Sequence, residues 1–142
     1  MNLKKIYLVL ITIVFSLTAF SQYSIDIYFK NYTPDGKYEC YGNIINTVTL
    51  ATQSYQFTVN YGPSSGGYVL IPVTNANWIL KDLRVAHDTF NPPYADFSNY
   101  PTSLTAPSAP VPVYAPSGNN NVIYKADTGW PDGNHEYQFV IQ

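Results

Sequence analysis

Apolar and polar side chains alternate along most of the chain after residue 22, with the period of two residues that is typical of β-strands. The alternation is clearest over residues 54–61, where aromatic and β-branched residues interleave with uncharged polar ones. Residues 23–30 show it too, and one face of this segment consists of Tyr23, Ile25, Ile27 and Phe29. No helical spacing of apolar residues continues over 11 or more positions in this part of the chain. The pattern therefore predicts a nearly all-β protein.

Turn-forming residues divide the alternating segments into about seven short strands. Thr33-Pro34-Asp35-Gly36 predicts a reversal after the first strand, because proline presets φ and glycine permits a positive φ. Pro72 lacks an N–H, so the strand that contains it is expected to end there or to lie at a sheet edge. Strands of this number and length favour an antiparallel two-sheet sandwich with an immunoglobulin-like architecture. The predicted strands cover residues 23–30, 38–50, 54–61, 68–73, 78–87, 121–126 and 135–142.

Residues 91–121 interrupt the alternation because they contain seven of the chain's eleven prolines. Loops longer than about 12 to 15 residues are uncommon in compact domains and are often functional. Aromatic residues recur in and beside this segment, which a disordered linker would not require. We therefore predict one long Pro-rich loop that lies across the sandwich. It is either a structural crossover between the sheets or a binding loop.

The first 21 residues have the three parts of a signal peptide. Two lysines precede an apolar run over residues 6–20, and Ala19 and Ser21 place small residues two apart at its end. The run is shorter than the roughly 20 residues of a membrane-spanning helix, and no longer run follows it. We expect cleavage after Ser21, a single domain over residues 22–142 without a membrane span, and a secreted or periplasmic location.

The composition is typical of an aromatic-rich β domain rather than of a disordered or helical protein. Of the 142 residues, 11% are charged and 16% are aromatic, and 14 residues are tyrosines. The net charge of −2 provides no basic surface for a phosphate backbone, so we do not expect a nucleic-acid partner. The single cysteine, Cys40, excludes an internal disulfide and is expected to be buried.

The chain carries no recognisable catalytic or metal-binding motif. Asp127-Thr128-Gly129 matches the tripeptide of aspartic proteases, but turn-forming residues follow it, so we interpret Asp127 as a turn residue. His87 and His135 lie at predicted strand ends without the spacing of zinc ligands, and we interpret them as solvated polar residues. We therefore expect no cofactor and no metal. A small hydrolase stays a further alternative, although the chain has no Gly-x-Ser-x-Gly nucleophile elbow.

Aromatic residues in turns and loops are the clearest indication of function, because tyrosine and tryptophan combine a flat apolar face with a polar edge. Trp130 lies in a turn rich in Pro, Gly and Asp. We predict that it joins Tyr94, Tyr100 and Tyr114 of the Pro-rich segment in one ligand-binding surface. The expected function is a secreted, non-catalytic module that binds a glycan or a protein. The competing interpretation is that these tyrosines fill the core and its rims.

Two alternative functions depend on the uncharged stretch between Glu39 and Lys81. Uncharged strands have little protection against pairing at a sheet edge, so one alternative is a self-associating structural subunit of a surface assembly. Residues 44–61 alternate uncharged polar and apolar side chains, which also suits a pore-forming hairpin that inserts into a membrane. An ordinary hairpin with one solvated face gives the same pattern.

Overall fold

The computed structural model describes residues 23–60, 62–89, 91–101, 104, 106–127 and 134–142. These residues form nine strands and no helix. The all-β prediction is confirmed, whereas the expected number of about seven strands is too low. In chain order the strands are β1 (Tyr23–Asn31), β2 (Tyr38–Asn46), β3 (Thr52–Val59), β4 (Gly62–Val73), β5 (Trp78–His87), β6 (Ala95–Ser98), β7 (Val111–Val113), β8 (Asn120–Asp127) and β9 (His135–Ile141).

The strands form two sheets. One sheet has five strands in the order β4-β1-β9-β8-β7, and the other has four strands in the order β3-β2-β5-β6. Neighbouring strands are antiparallel except for β1 and β9, which run parallel with Ile25 beside His135. The expectation of a wholly antiparallel sandwich is therefore wrong at this pair. A parallel pair needs a long connection, and the chain between β1 and β9 provides it.

The hydrophobic core lies between the two sheets, because the inward positions of each sheet face the other sheet. Ile25 of the five-stranded sheet and Cys40 of the four-stranded sheet are both fully buried. The ring centroids of Phe97 and Phe139 lie 5.2 Å apart and join the two sheets. The predicted burial of Cys40 is confirmed. This burial raises the pKa of its thiol well above the ordinary value, because a thiolate would be poorly solvated there.

Residues 91–121 do not form one long loop. They contain β6, which pairs with β5 in the four-stranded sheet, and β7, which pairs with β8 in the five-stranded sheet. The segment therefore crosses from one sheet to the other, as in the crossover alternative, and the prediction of a single loop is corrected. Pro112 is compatible with β7 because this strand is a sheet edge, where a missing N–H need not break the ladder, and β6 contains no proline.

The expectation for Pro72 is confirmed. Pro72 lies in β4, an edge strand of the five-stranded sheet. Gly42 lies where β2 and β5 approach closely, since an added Cβ would be 2.1 Å from the carbonyl oxygen of Asp82. β4 begins at Gly62 rather than at Tyr68, so the glycine-rich stretch before Tyr68 is part of the strand.

The predicted signal peptide, residues 1–21, lies outside the described residues. Both sheets are built from residues 23–141. Within the part of the chain that the structure describes, no helix is long and apolar enough to cross a membrane.

Candidate functional site

The outer face of the five-stranded sheet, which points away from the core, carries two adjacent tyrosines. Tyr28 of β1 and Tyr68 of β4 are Cα partners in the antiparallel ladder. Their ring centroids lie 4.7 Å apart, and the ring planes are inclined by 41°. The two residues are 44% and 47% exposed. We call this pair the tyrosine platform.

Strand alternation places the platform on the outer face. The odd-numbered residues of β1 from Ile25 to Asn31 are buried, so Tyr28 and the other even-numbered residues point away from the core. Pairing of β1 with β4 then brings Tyr68 beside Tyr28. Leu70, two residues further along β4, is about half exposed and extends the apolar surface next to the platform.

Asp26 holds the Tyr68 side of the platform. The Tyr68 hydroxyl donates a hydrogen bond to Asp26 Oδ2 across 3.3 Å. Asp26 Oδ1 is buried and has no hydrogen-bond partner among the described residues. Partial burial and the neighbouring carboxylate raise the pKa of Tyr68, because both disfavour a phenolate. The hydroxyl therefore stays protonated at neutral pH and keeps its role as a donor.

A depression of about 450 Å³ adjoins the platform. The parallel register of β1 and β9 sets Tyr28 beside Gln138 and Lys30 beside Val140. Gln138 Nε2 donates to Glu136 Oε1 at 2.7 Å, so two polar side chains are held in place within the depression. An aromatic ring, amides and charged groups thus share one concave surface. Its lining residues are Tyr28, Lys30, Tyr32, Lys125, Glu136, Gln138, Phe139, Val140 and Gln142.

Two lysines give the depression its charge. Lys30 comes from β1, and Lys125 comes from β8 at a position where the ladder to β9 shifts by a residue. Neither lysine forms an ion pair within the described part of the chain. Glu136 is the only acidic side chain among the described residues that line the depression. The lining side chains therefore carry a net positive charge, although the whole chain carries −2.

The structure brings together only part of the site predicted from the sequence. Trp130 lies outside the described residues. The ring centroid of Tyr94 lies 5.1 Å from the guanidinium carbon of Arg84. Tyr114 N donates to the carbonyl of Pro93 at 2.7 Å, so Tyr114 lies near the end of β6 where Tyr94 is found. Tyr100 follows the opposite end of β6, and none of these three tyrosines lines the depression beside the platform.

A second depression, of about 510 Å³, lies near Tyr94 on the outer face of the four-stranded sheet. Arg84 forms a two-point ion pair with Asp96, and these hydrogen bonds raise the pKa of the guanidinium. The backbone and side-chain amides of Asn43 both donate to Asp82 Oδ1 at 2.9 Å. Each depression is lined by three charged side chains, but Arg84 and Asp96 of the second are paired with each other, so it offers a ligand fewer charged groups without an ion-pair partner.

His87 is buried, so the expectation of a solvated strand-end residue is wrong. Its Nε2 lies 2.6 Å from the carbonyl oxygen of Asp35, and its Nδ1 lies 3.1 Å from Thr89 Oγ1. The rings of Tyr38 and Tyr114 pack edge-on against the imidazole. His87 therefore belongs to the packing at one end of the sandwich. Within the described ranges, no group of three or more His, Cys, Asp or Glu side chains is arranged to hold a metal.

The tyrosine platform was not predicted from the sequence, although the pattern indicated the exposure of one of its two tyrosines. Tyr28 occupies a polar position of the first predicted strand, which indicates exposure. Tyr68 begins an apolar run over residues 68–73 in which alternation is not visible. Only the pairing of β1 with β4 shows that the two rings are neighbours.

Comparisons of the chain with protein-family models, with curated proteins and with solved structures found no match.

Proposed function

We propose that the protein is a non-catalytic binding module that recognises a glycan outside the cytoplasm. The binding surface consists of the tyrosine platform and the depression beside it. The observation that carries the proposal is the pair of half-exposed rings, 4.7 Å apart, next to a lining of amide and charged side chains.

A sugar ring is chemically suited to this surface. The C–H groups of a pyranose form an apolar face, whereas its hydroxyls form a polar rim. Tyrosine offers a flat apolar face with a hydroxyl at its edge, and such rigid side chains lose little conformational entropy on binding. Gln138 and Glu136 supply hydrogen-bond donors and acceptors within the same depression. Stacking and hydrogen bonding are thus available side by side.

The two lysine side chains of the depression favour a glycan with acidic groups. Lys30 and Lys125 line it without an ion-pair partner among the described residues. A carboxylate or sulfate on the ligand would gain charge-assisted hydrogen bonds from these ammonium groups. We therefore propose an acidic polysaccharide, such as one that contains uronic acids, as the ligand class.

The arrangement of carboxylates supports binding without catalysis. Glycoside hydrolysis ordinarily uses two carboxyl groups about 5 to 10 Å apart on either side of the scissile bond. Glu136 is the only acidic side chain in the described lining, and Gln138 already donates to it. Asp26 is engaged by the Tyr68 hydroxyl. This pattern does not offer a general acid facing a nucleophile.

The location outside the cytoplasm depends on the signal peptide predicted over residues 1–21. Mass spectrometry of the exported protein tests it, because cleavage after Ser21 makes Gln22 the first residue. An intact leader on the exported protein would contradict the predicted cleavage site. An immunoglobulin-like relationship of the two sheets is part of the same proposal, and it identifies no ligand because such sandwiches serve many functions.

The test of the binding surface is a glycan array with polysaccharide pull-downs, using residues 22–142. Wild type is compared with Tyr28→Ala and Tyr68→Ala, and Tyr94→Ala is the matched control beside the other sheet. Circular dichroism first verifies that each variant is folded. We expect binding to weaken about tenfold or more in the platform variants, as for central aromatic contacts, and to change little in the control.

Two results would overturn this assignment. Loss of binding in Tyr94→Ala, with full binding in both platform variants, would move the site to the surface predicted from the sequence. Absence of binding to every glycan by folded wild type would refute glycan recognition and would favour a protein ligand.

The ligand charge is tested separately with an acidic polysaccharide and a neutral one of similar backbone. We expect Lys30→Gln/Lys125→Gln to weaken binding of the acidic polymer at low salt and to leave the neutral polymer unaffected. Equal effects of the double substitution on both polymers would refute the charge preference while leaving the platform assignment intact.

A further inference from the structure

The two rings of the tyrosine platform lie close enough to be joined by a covalent bond. Tyr28 and Tyr68 are direct partners in the ladder of β1 and β4, so the backbone holds their Cβ atoms about 5 Å apart. Their ring centroids are 4.7 Å apart, and a carbon–carbon bond between two such rings places the centroids only slightly closer together. Nearly half of each residue is exposed, so an oxidant in solution can reach both rings.

We propose that Tyr28 and Tyr68 form a modification site, at which one-electron oxidation joins the two rings in a dityrosine. The oxidant is hydrogen peroxide acting through a haem peroxidase. Formation of this bond needs no ligand, so it is independent of glycan recognition although the same rings take part.

The reaction removes one hydrogen atom from each tyrosine. Each phenol gives an electron to the oxidised peroxidase and a proton to a base, which leaves a tyrosyl radical. The two radicals form a carbon–carbon bond between ring positions next to their hydroxyls. The hydrogens on those two carbons then move as protons to the phenolic oxygens, which restores both hydroxyl groups. The two electrons and two protons lost by the tyrosines reduce one hydrogen peroxide to two molecules of water.

Asp26 is placed to take the proton of Tyr68. Its Oδ2 accepts the hydrogen bond from the Tyr68 hydroxyl at 3.3 Å. Partial burial and the charge of Asp26 raise the pKa of Tyr68, and the charge of Glu136 adds to this effect. Oxidation at neutral pH therefore starts from the protonated phenol and has to release its proton. Loss of the electron makes the phenol strongly acidic, so the proton passes to the carboxylate as the electron leaves.

The link ties the edge strand β4 to β1 inside the sheet. It closes a loop of about 40 residues, and such a cross-link stabilises a fold mainly by restricting the unfolded chain. Cys40 is the only cysteine of the chain, so no internal disulfide provides a covalent tie of this kind. We therefore expect the linked protein to unfold at a higher urea concentration than the unlinked protein.

The test treats residues 22–142 with hydrogen peroxide and a haem peroxidase in the absence of a glycan. We expect a monomeric product that has the blue fluorescence of dityrosine and a mass lower by two hydrogen atoms. Peptide mapping should show the peptide of Tyr28 joined to that of Tyr68. The yield of linked monomer should not depend on protein concentration, because both rings belong to one chain.

Tyr28→Phe and Tyr68→Phe each keep the ring and remove the phenol, so each should abolish the linked monomer. Circular dichroism first verifies that both variants are folded. Tyr32→Phe is the matched control, because Tyr32 is 52% exposed and lines the depression beside the platform. This control should give the linked monomer at the wild-type yield.

Asp26→Asn tests the proton acceptor, since an amide still accepts a hydrogen bond but does not take up the proton. We expect the link to form more slowly than in wild type at neutral pH. The deficit should disappear well above pH 10, near the ordinary tyrosine pKa of about 10, because the phenol is then ionised beforehand. An effect on folding alone would not follow this pH profile.

Three results contradict these expectations. Oxidised wild type without dityrosine, or with links between other tyrosines only, overturns the modification site. Linked monomer in either phenylalanine variant overturns it too. Equal rates for Asp26→Asn and wild type at neutral pH overturn the role assigned to Asp26. None of these results bears on glycan recognition, which the alanine variants test in unoxidised protein.

Discussion

At the scale of single residues, Asp35 shows how a turn is tied to a distant loop. It lies between β1 and β2, and its Oδ2 accepts hydrogen bonds from Ser117 Oγ at 2.7 Å and Asn120 Nδ2 at 2.8 Å. These bonds lower the pKa of Asp35, with Ser117 as the larger cause, because both favour the ionised form. A carboxylate at this position therefore stabilises the folded state.

The sign of the resulting pH dependence follows from linkage. A lowered folded-state pKa gives stability that is fully present above the unfolded-state pKa and is lost as pH falls through the folded-state value. We expect Asp35→Asn to be less stable than wild type at neutral pH, with a difference that shrinks as pH falls below about 4. Urea unfolding at several pH values measures this difference. Ser117→Ala should raise the pKa of Asp35 in an NMR titration, and an unchanged value would contradict the assigned cause.

At the scale of elements, the pairing of β2 with β5 depends on Gly42. The Tyr55 hydroxyl donates to the Asp82 carbonyl at 2.8 Å, directly beside this glycine. A Cβ at position 42 would lie 2.1 Å from that carbonyl oxygen and 2.7 Å from the Tyr55 hydroxyl. The backbone of β5 blocks the space, so a larger residue must push the strands apart.

Gly42→Ala is therefore expected to destabilise the fold by about 1–3 kcal/mol, the usual range for forced overpacking. Urea unfolding followed by circular dichroism measures the change in the free energy of unfolding. Thr52→Ala, at an exposed position of β3, is the control and should change stability by less than about 0.5 kcal/mol. Equal stability of Gly42→Ala and wild type would show that the two strands can separate at no cost.

Strands that show a local alternation of apolar and polar residues were predictable from the sequence. Strands and contacts that depend on residues far away in the chain were not. The alternation of Ile25, Ile27 and Phe29 identified β1 and its buried face, as the structure confirms. β6 and β7 gave no such signal, because each is short and stands among prolines. The parallel contact of β1 with β9 joins residues far apart in sequence, which no local pattern encodes.

The same distinction applies to the candidate site. The exposure of Tyr28 follows from its polar position in β1. Its contact with Tyr68 depends on the register of β1 against β4, and the contribution of Lys125 depends on a shift in the ladder of β8 and β9. Turns and prolines in the sequence instead favoured Trp130, Tyr94, Tyr100 and Tyr114, because they indicate exposure without indicating which rings meet.

At the scale of the whole molecule, a cluster of aromatic rings joins the two sheets. The ring of Phe139 lies 4.9 Å from that of Phe29, 5.2 Å from that of Phe97 and 5.2 Å from that of Tyr124. Phe139 is 1% exposed, so all of its apolar area is removed from water. The cluster therefore contributes to the packing of one sheet against the other.

We expect Phe139→Ala to lower the free energy of unfolding by about 3–5 kcal/mol, through lost burial and the cavity left behind. This is a large share of the stability of an ordinary domain, which is about 5–15 kcal/mol. Val140→Ala changes the next residue, which faces the other side of β9, and should cost much less. Similar losses in both variants, measured by urea unfolding, would refute the importance of the ring cluster.

The position of β1 determines when the five-stranded sheet can be completed during synthesis of the chain. β1 is the first of the described strands to be synthesised, yet it lies inside its sheet with β9, the last of them, as one neighbour. A chain released from the ribosome or a translocation channel up to β8 still has one side of β1 open to solvent. The sheet closes only when residues 135–141 emerge, so the native structure is reached by the whole chain rather than by growth from its beginning.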